Sequence, residues 1–153
     1  MPQFIDSYFL IDTREKDQIF KVVNTFVPEW EKTADDFPIP LYSEEPTRIF
    51  ESVDELFTYL ETHKNEVYSI YLKNLNEVDA IRYIMIFYTD DGKAIVGFST
   101  PGRVVESETA ISLYKTLKHF LNAEISCMTI EESPPDNSVE FELFCKERFV
   151  PDL

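Results

Sequence analysis

Glu140 and Glu142 stand two positions apart in the run 138–146, where Val139, Phe141, Leu143 and Cys145 alternate with more polar residues. Read as a strand, this run places both carboxylates on one face about 6.5–7 Å apart, which overlaps the carboxyl separation used by glycoside hydrolases. Ser138 and Lys146 share that face, so a solvated outer surface explains the pattern without a catalytic pocket. The only imidazoles are His63 and His119. Glu61-x-His63 is a thin ligand pair; His63 falls in the last turn of a helical segment, where partial positive charge suits the dipole, and His119 lies on a wet stripe. Asp90-Asp91-Gly92 lacks the further oxygens of a calcium loop and reads as a turn.

The remaining chemistry is equally sparse. Gly92, Gly97 and Gly102 are the only glycines, so neither a dinucleotide or Walker phosphate loop nor a G-x-S-x-G elbow can be written. Cys127 and Cys145 are too few for a disulfide framework or a zinc site, and both are expected as thiols, Cys145 as a small core residue. No catalytic residue, metal ligand or cofactor is expected, and the chain reads as non-enzymatic.

The elements that must position these residues follow from periodicity. A strand over 7–11 leads through Asp12-x-x-Glu15, a capping box, into a helix with Ile19, Phe20, Val23, Phe26 and Val27 on one stripe, closed by Pro28. From 29 to 47 prolines interrupt the chain, and Trp30, Phe37, Ile39, Leu41 and Tyr42 lie between acidic pairs; a long loop pinned against the body is expected. A brief strand over 47–51 precedes Ser52-x-x-Glu55, which opens a helix ending near Asn65. Strands over 67–75 and 81–89 follow, and Asp91-Gly92 predicts a two-residue hairpin turn that pairs Tyr88 with Ile95, Ile86 with Gly97 and Met85 with Phe98. In that register Gly97 and Ser99 leave a shallow strip beside Ile84, Ile86 and Tyr88. A third helix starts at Glu106 or Ser107, with Ala110, Leu113, Tyr114, Leu117, Phe120 and Leu121 inward, and strands over 125–130 and 138–146 finish the chain. The expected fold class is α+β: one domain over 1–153, with a mainly antiparallel sheet of five to six strands and about three helices.

The 153 residues suffice to bury a core without disulfides or metal. No apolar stretch approaches the roughly 20 residues needed to cross a bilayer, and Met1-Pro2-Gln3-Phe4 lacks a basic region followed by an apolar one, so a cytoplasmic location is expected. Against 29 Asp and Glu stand 14 Lys and Arg, a net charge of −15 that disfavours nucleic acid and anionic membranes as partners.

The excess is not spread evenly. Residues 28–66 carry a net −8 and residues 122–147 a net −6, whereas residues 67–121 balance to zero. Solubility alone accounts for a single acidic cluster, but two loop-borne blocks with interleaved aromatics suit a basic protein surface. The candidate partner-binding residues are Glu131, Glu132, Asp136, Glu140 and Glu142, expected to converge at one sheet edge, together with Asp35, Asp36, Glu44 and Glu45.

The segments 68–74, 85–92 with 97–99, and Glu131-Glu132-Ser133-Pro134-Pro135 resemble small acidic bacterial proteins that act as immunity partners of polymorphic toxins. The resemblance spans roughly residues 8–142 and rests on hairpin and turn patterns, so it transfers no binding residue. It implies a stoichiometric, non-enzymatic inhibitor that occludes a toxin domain, commonly a nuclease with a basic groove. A structural or regulatory protein forming a homodimer or larger homo-oligomer is the alternative, followed by an enzyme with a carboxylate-based site.

Overall fold

A computed structural model describes residues 3–152; the expectation drawn from Met1 and Pro2 lies outside them. Eight strands and four helices form in the order β1 (Phe4–Ile11), α1 (Lys16–Phe26), β2 (Trp30–Lys32), β3 (Phe37–Ile39), β4 (Arg48–Phe50), α2 (Val53–Thr62), β5 (Tyr68–Asn74), β6 (Tyr83–Tyr88), β7 (Ala94–Pro101), α3 (Glu108–Leu121), β8 (Ser126–Ile130) and α4 (Ser138–Lys146). Six strands make one sheet, ordered β2-β5-β6-β7-β1-β8, in which every neighbouring pair is antiparallel; β3 and β4 form a separate two-stranded sheet. The fold is α+β with a mainly antiparallel sheet.

Strand alternation sends side chains to both faces, and each face has its own core. On one, Ile5, Phe9, Ile70, Leu72, Ile84, Ile86, Val96 and Phe98 pack with Ile19 and Val23 of α1, Leu56, Phe57 and Leu60 of α2 and Tyr114 and Leu117 of α3. On the other, Tyr8, Leu10, Met85, Phe87, Ile95 and Cys127 meet Phe141 and Cys145 of α4. The central strands are therefore apolar on both sides because both sides are covered.

The segment 138–146 is a helix, not the expected strand. Its every-second-residue pattern coexists with a second stripe, Phe141, Phe144 and Cys145, at the i, i+3, i+4 spacing of one helix face, and those three are buried while Val139 and Leu143 are 64% and 57% exposed. Asn137 settles the competition. Its side chain accepts from the backbone N–H groups of Val139 and Glu140 at 2.9 and 3.2 Å, capping the first turn. Cys145 is buried as expected, but from a helix.

The hairpin register also differs by one residue. Tyr88 pairs with Ala94, Ile86 with Val96 and Met85 with Gly97. Thr89 donates its N–H to the Lys93 carbonyl at 3.1 Å, leaving Asp90, Asp91 and Gly92 as a three-residue loop in which Gly92 alone has positive φ, at 87°. A two-residue type I′ turn needs positive φ at both centres, whereas a type I turn followed by a left-handed glycine needs it once. The shallow strip beside Ile84, Ile86 and Tyr88 does not form: Gly97 lies on the opposite face, between Tyr8 and Met85.

Two further expectations are corrected. The segment 29–47 is not one irregular loop: β2 extends the main sheet and β3 pairs with β4. It is pinned as expected, with Phe37 and Ile39 buried and the Trp30 indole donating to Asn24 at 3.1 Å. The Asp12-x-x-Glu15 box does not cap α1. Glu61 of α2 accepts from the Lys16 N–H instead, at 2.8 Å, so the cap comes from a neighbouring element.

Arg14, 2% exposed, ties these parts together. Its guanidinium donates to the carbonyls of Leu60 in the last turn of α2 and of His63 and Glu66 just after it, and to those of Thr89 and Lys93 flanking the hairpin loop. Burial lowers its pKa, opposed by the nearby Tyr88, Asp91 and Glu66.

Candidate functional site

The connection from β8 to α4 crosses the second face of the sheet and is held at both ends. The Tyr8 hydroxyl donates to the Glu132 carbonyl at 2.7 Å, and Arg148 pairs with the Glu132 carboxylate at 2.8 Å. At the far end the Asp90 N–H donates to the Asp136 carbonyl at 2.8 Å, Asn137 Nδ2 donates to Asp90 Oδ1 at 2.8 Å, and Ser138 donates its hydroxyl to Asp91. Burial pushes the Asp91 pKa up, but hydrogen bonds from Ser138 and Thr89 outweigh it and leave the carboxyl below its ordinary value. The hairpin turn thus anchors the start of α4, and the acidic connection has a fixed path.

Between this connection and β5 runs a groove of about 420 Å³. Ser69, Tyr71 and Phe87 line it from the sheet, Ser133, Pro134, Pro135 and Asp136 from the connection, and Glu140 from the first turn of α4. Tyr42, from the stretch between β3 and β4, also lines it; this residue is 85% exposed and sits in the left-handed region at φ 65°. Tyr71 is held edge-to-face against Phe87, with ring centroids 5.9 Å apart. No lysine or arginine lines the groove.

A smaller cleft of about 160 Å³ adjoins it, sharing Tyr71 and Ser133 and lined further by Asp6, Tyr8, Ser99, Glu131 and Glu132. Asp6 is buried and has no ion-pair partner among the described residues. Burial pushes its carboxyl up to about 6, hydrogen bonds from Ser99 and Tyr8 oppose the shift, and the charge of Glu131 adds to it. Another cleft, about 450 Å³ between α1 and α3, contains none of the nine candidate carboxylates.

All nine candidates are exposed, and Glu132 alone has an ion-pair partner among the described residues. Asp136 and Glu140 share the larger groove; Glu131 and Glu132 line the smaller cleft. Glu142 lines neither, because on a helix it points well away from Glu140, two residues earlier. Their expected convergence at a sheet edge is therefore replaced by a row along the second face, and the carboxylate pairing reminiscent of glycoside hydrolases disappears with the strand. Asp35 and Asp36 lie between β2 and β3, and Glu44 and Glu45 between β3 and β4, outside both grooves. Their block reaches the groove only through Tyr42.

Sequence periodicity does not single out Tyr42, Tyr71 or Asp6 as site residues. A signal exists for two of them: Tyr71 alternates with the inward Tyr68, Ile70 and Leu72, and Asp6 is the one carboxylate in the apolar run 4–11. Among the described residues no group of three or more His, Cys, Asp and Glu side chains could hold a metal ion, and no helix is long and apolar enough to cross a membrane. No family model matches the chain, and comparison with curated proteins and with solved structures likewise finds no match.

Proposed function

We propose that this chain is an acidic, non-enzymatic binding protein that neutralises a basic partner protein by occlusion, the partner being a bacterial toxin domain of nuclease type. One observation carries the reading: eight of the nine exposed candidate carboxylates have no ion-pair partner among the described residues, and residues from both acidic blocks flank one groove. Side chains of one sign around a concave surface raise the local concentration of cationic partners and speed encounter. The resemblance to immunity proteins points to the same class of partner, and Glu131-Glu132-Ser133-Pro134-Pro135, which carries part of it, contributes to the walls of both clefts.

The exposed pair Val139 and Leu143 on α4 offers an apolar centre with Glu140 and Glu142 beside it. In a two-fold homodimer the same patch meets itself, which would bring those carboxylates face to face. A basic partner relieves that repulsion, so the arrangement favours a heteromeric contact over the homo-oligomer.

The test is affinity capture from the source cells at low salt with the immobilised chain, followed by assay of the captured protein. The reading expects a basic protein, eluted by salt, whose enzymatic activity is abolished at a one-to-one ratio. Capture of acidic or neutral proteins only, or full activity of the captured protein at excess inhibitor, overturns it.

A further inference from the structure

The groove between β5 and the β8–α4 connection combines three features that point to one kind of occupant. Its aromatic lining, Tyr42, Tyr71 and Phe87, supplies ring surface that attracts a cation through the ring quadrupole. Asp136 and Glu140 contribute carboxylates without ion-pair partners among the described residues, and no cationic side chain lines the groove. Beyond Tyr71 and Ser133 lies Asp6, buried with hydroxyl partners but no counter-ion. Negative charge therefore lies at the mouth and behind the far wall, and an aromatic surface lies between.

Resting on the reading just proposed, we infer that this groove takes an arginine side chain projecting from the basic partner, stacked against the Tyr42 and Tyr71 rings with its guanidinium facing Asp136 and Glu140. Arginine fits better than lysine because a planar, weakly hydrated guanidinium stacks on aromatic rings and meets carboxylates through two parallel N–H bonds. A volume of about 420 Å³ suits a side chain rather than a whole helix or strand. Tyr42 stands at the rim of the groove, exposed and with its backbone in the left-handed region at φ 65°.

The probe is a capped Gly-Arg-Gly peptide, with its neutral citrulline counterpart as control, titrated into the isotopically labelled chain and followed by amide chemical shifts. The arginine peptide is expected to shift Ser69, Tyr71, Ser133, Asp136 and Glu140 in a saturable manner, with no matching response to citrulline. Tyr42→Ala keeps every charge and replaces an exposed side chain, and it should weaken binding about 2–5-fold. An equal response to citrulline, shifts centred on Asp35, Asp36, Glu44 and Glu45, or an unaltered affinity in Tyr42→Ala each overturns the groove assignment. None of these results touches the basic-partner reading, which fails separately if a captured partner ignores reversal of the acidic pairs.

Discussion

The Tyr8 hydroxyl, from the buried ring on β1, donates to the backbone carbonyl of Glu132 at 2.7 Å, so a core side chain fixes the path of the acidic connection over the second face. Tyr8→Phe keeps the ring in its cluster and removes that tie, together with the longer contact from the hydroxyl to Asp6 Oδ2 at 3.4 Å. A loss of about 1 kcal/mol is expected, together with faster hydrogen exchange for amides at 132–136. Unchanged exchange there would show that Arg148 and Asp90 hold the connection by themselves.

Gly97 owes its identity to the same tyrosine. A Cβ built there would lie 2.7 Å from Tyr8 Cε1 and 2.9 Å from Met85 Cε, and both side chains are buried. Tyr8 cannot retreat without breaking its bond to Glu132. Gly97→Val should lower stability by about 1–3 kcal/mol in a urea titration, and a melting temperature equal to the parent's would contradict the close approach.

Arg14 joins the end of α2 to the hairpin loop through five carbonyls, a geometry that a single ammonium or an apolar chain cannot reproduce. Arg14→Met should destabilise by about 3 kcal/mol or more, because buried acceptors lose their donors. Arg14→Lys should recover only part of that loss in the same titration.

Asp6 makes stability depend on pH. Burial raises its folded pKa to about 6, above the ordinary carboxylate value of 3.8, so the folded chain binds the proton more tightly than the unfolded one. The contribution is fully present below about pH 4 and is lost as pH rises through about 6, an effect of order 3 kcal/mol. Denaturation at several pH values should show the parent gaining stability relative to Asp6→Asn as pH falls from about 7 to about 4. A constant difference between the two chains would place the Asp6 carboxyl at its ordinary value.

The antiparallel α+β arrangement was legible because β5, α2 and α3 each carry one dominant periodicity, β6 is a short apolar run bounded by turn residues, and the Ser52 and Ser107 caps mark two helix starts. The run 138–146 carries two periodicities, and the side-chain cap from Asn137 together with burial of Phe144 decides between them. The hairpin register turned on whether Asp91 adopts positive φ, and its bonds to Ser138, 47 residues away, are invisible to local pattern. For the candidate site, the acidic residues were legible as composition. The groove was not, because it needs Tyr42, Tyr71 and Glu140 from three distant stretches brought together by the sheet.

The most direct measurement is the association rate of the captured basic partner, by stopped flow at about 50 mM and about 500 mM salt, with the parent chain and with two charge-reversed forms. The account predicts a steep fall with salt for the parent, a much slower association for Glu131→Lys with Glu132→Lys, a smaller effect for Glu44→Lys with Glu45→Lys, and dissociation rates that change far less. Equal association rates at both salt concentrations, unaltered by either reversal, would contradict it and leave the acidity as a property of solubility alone.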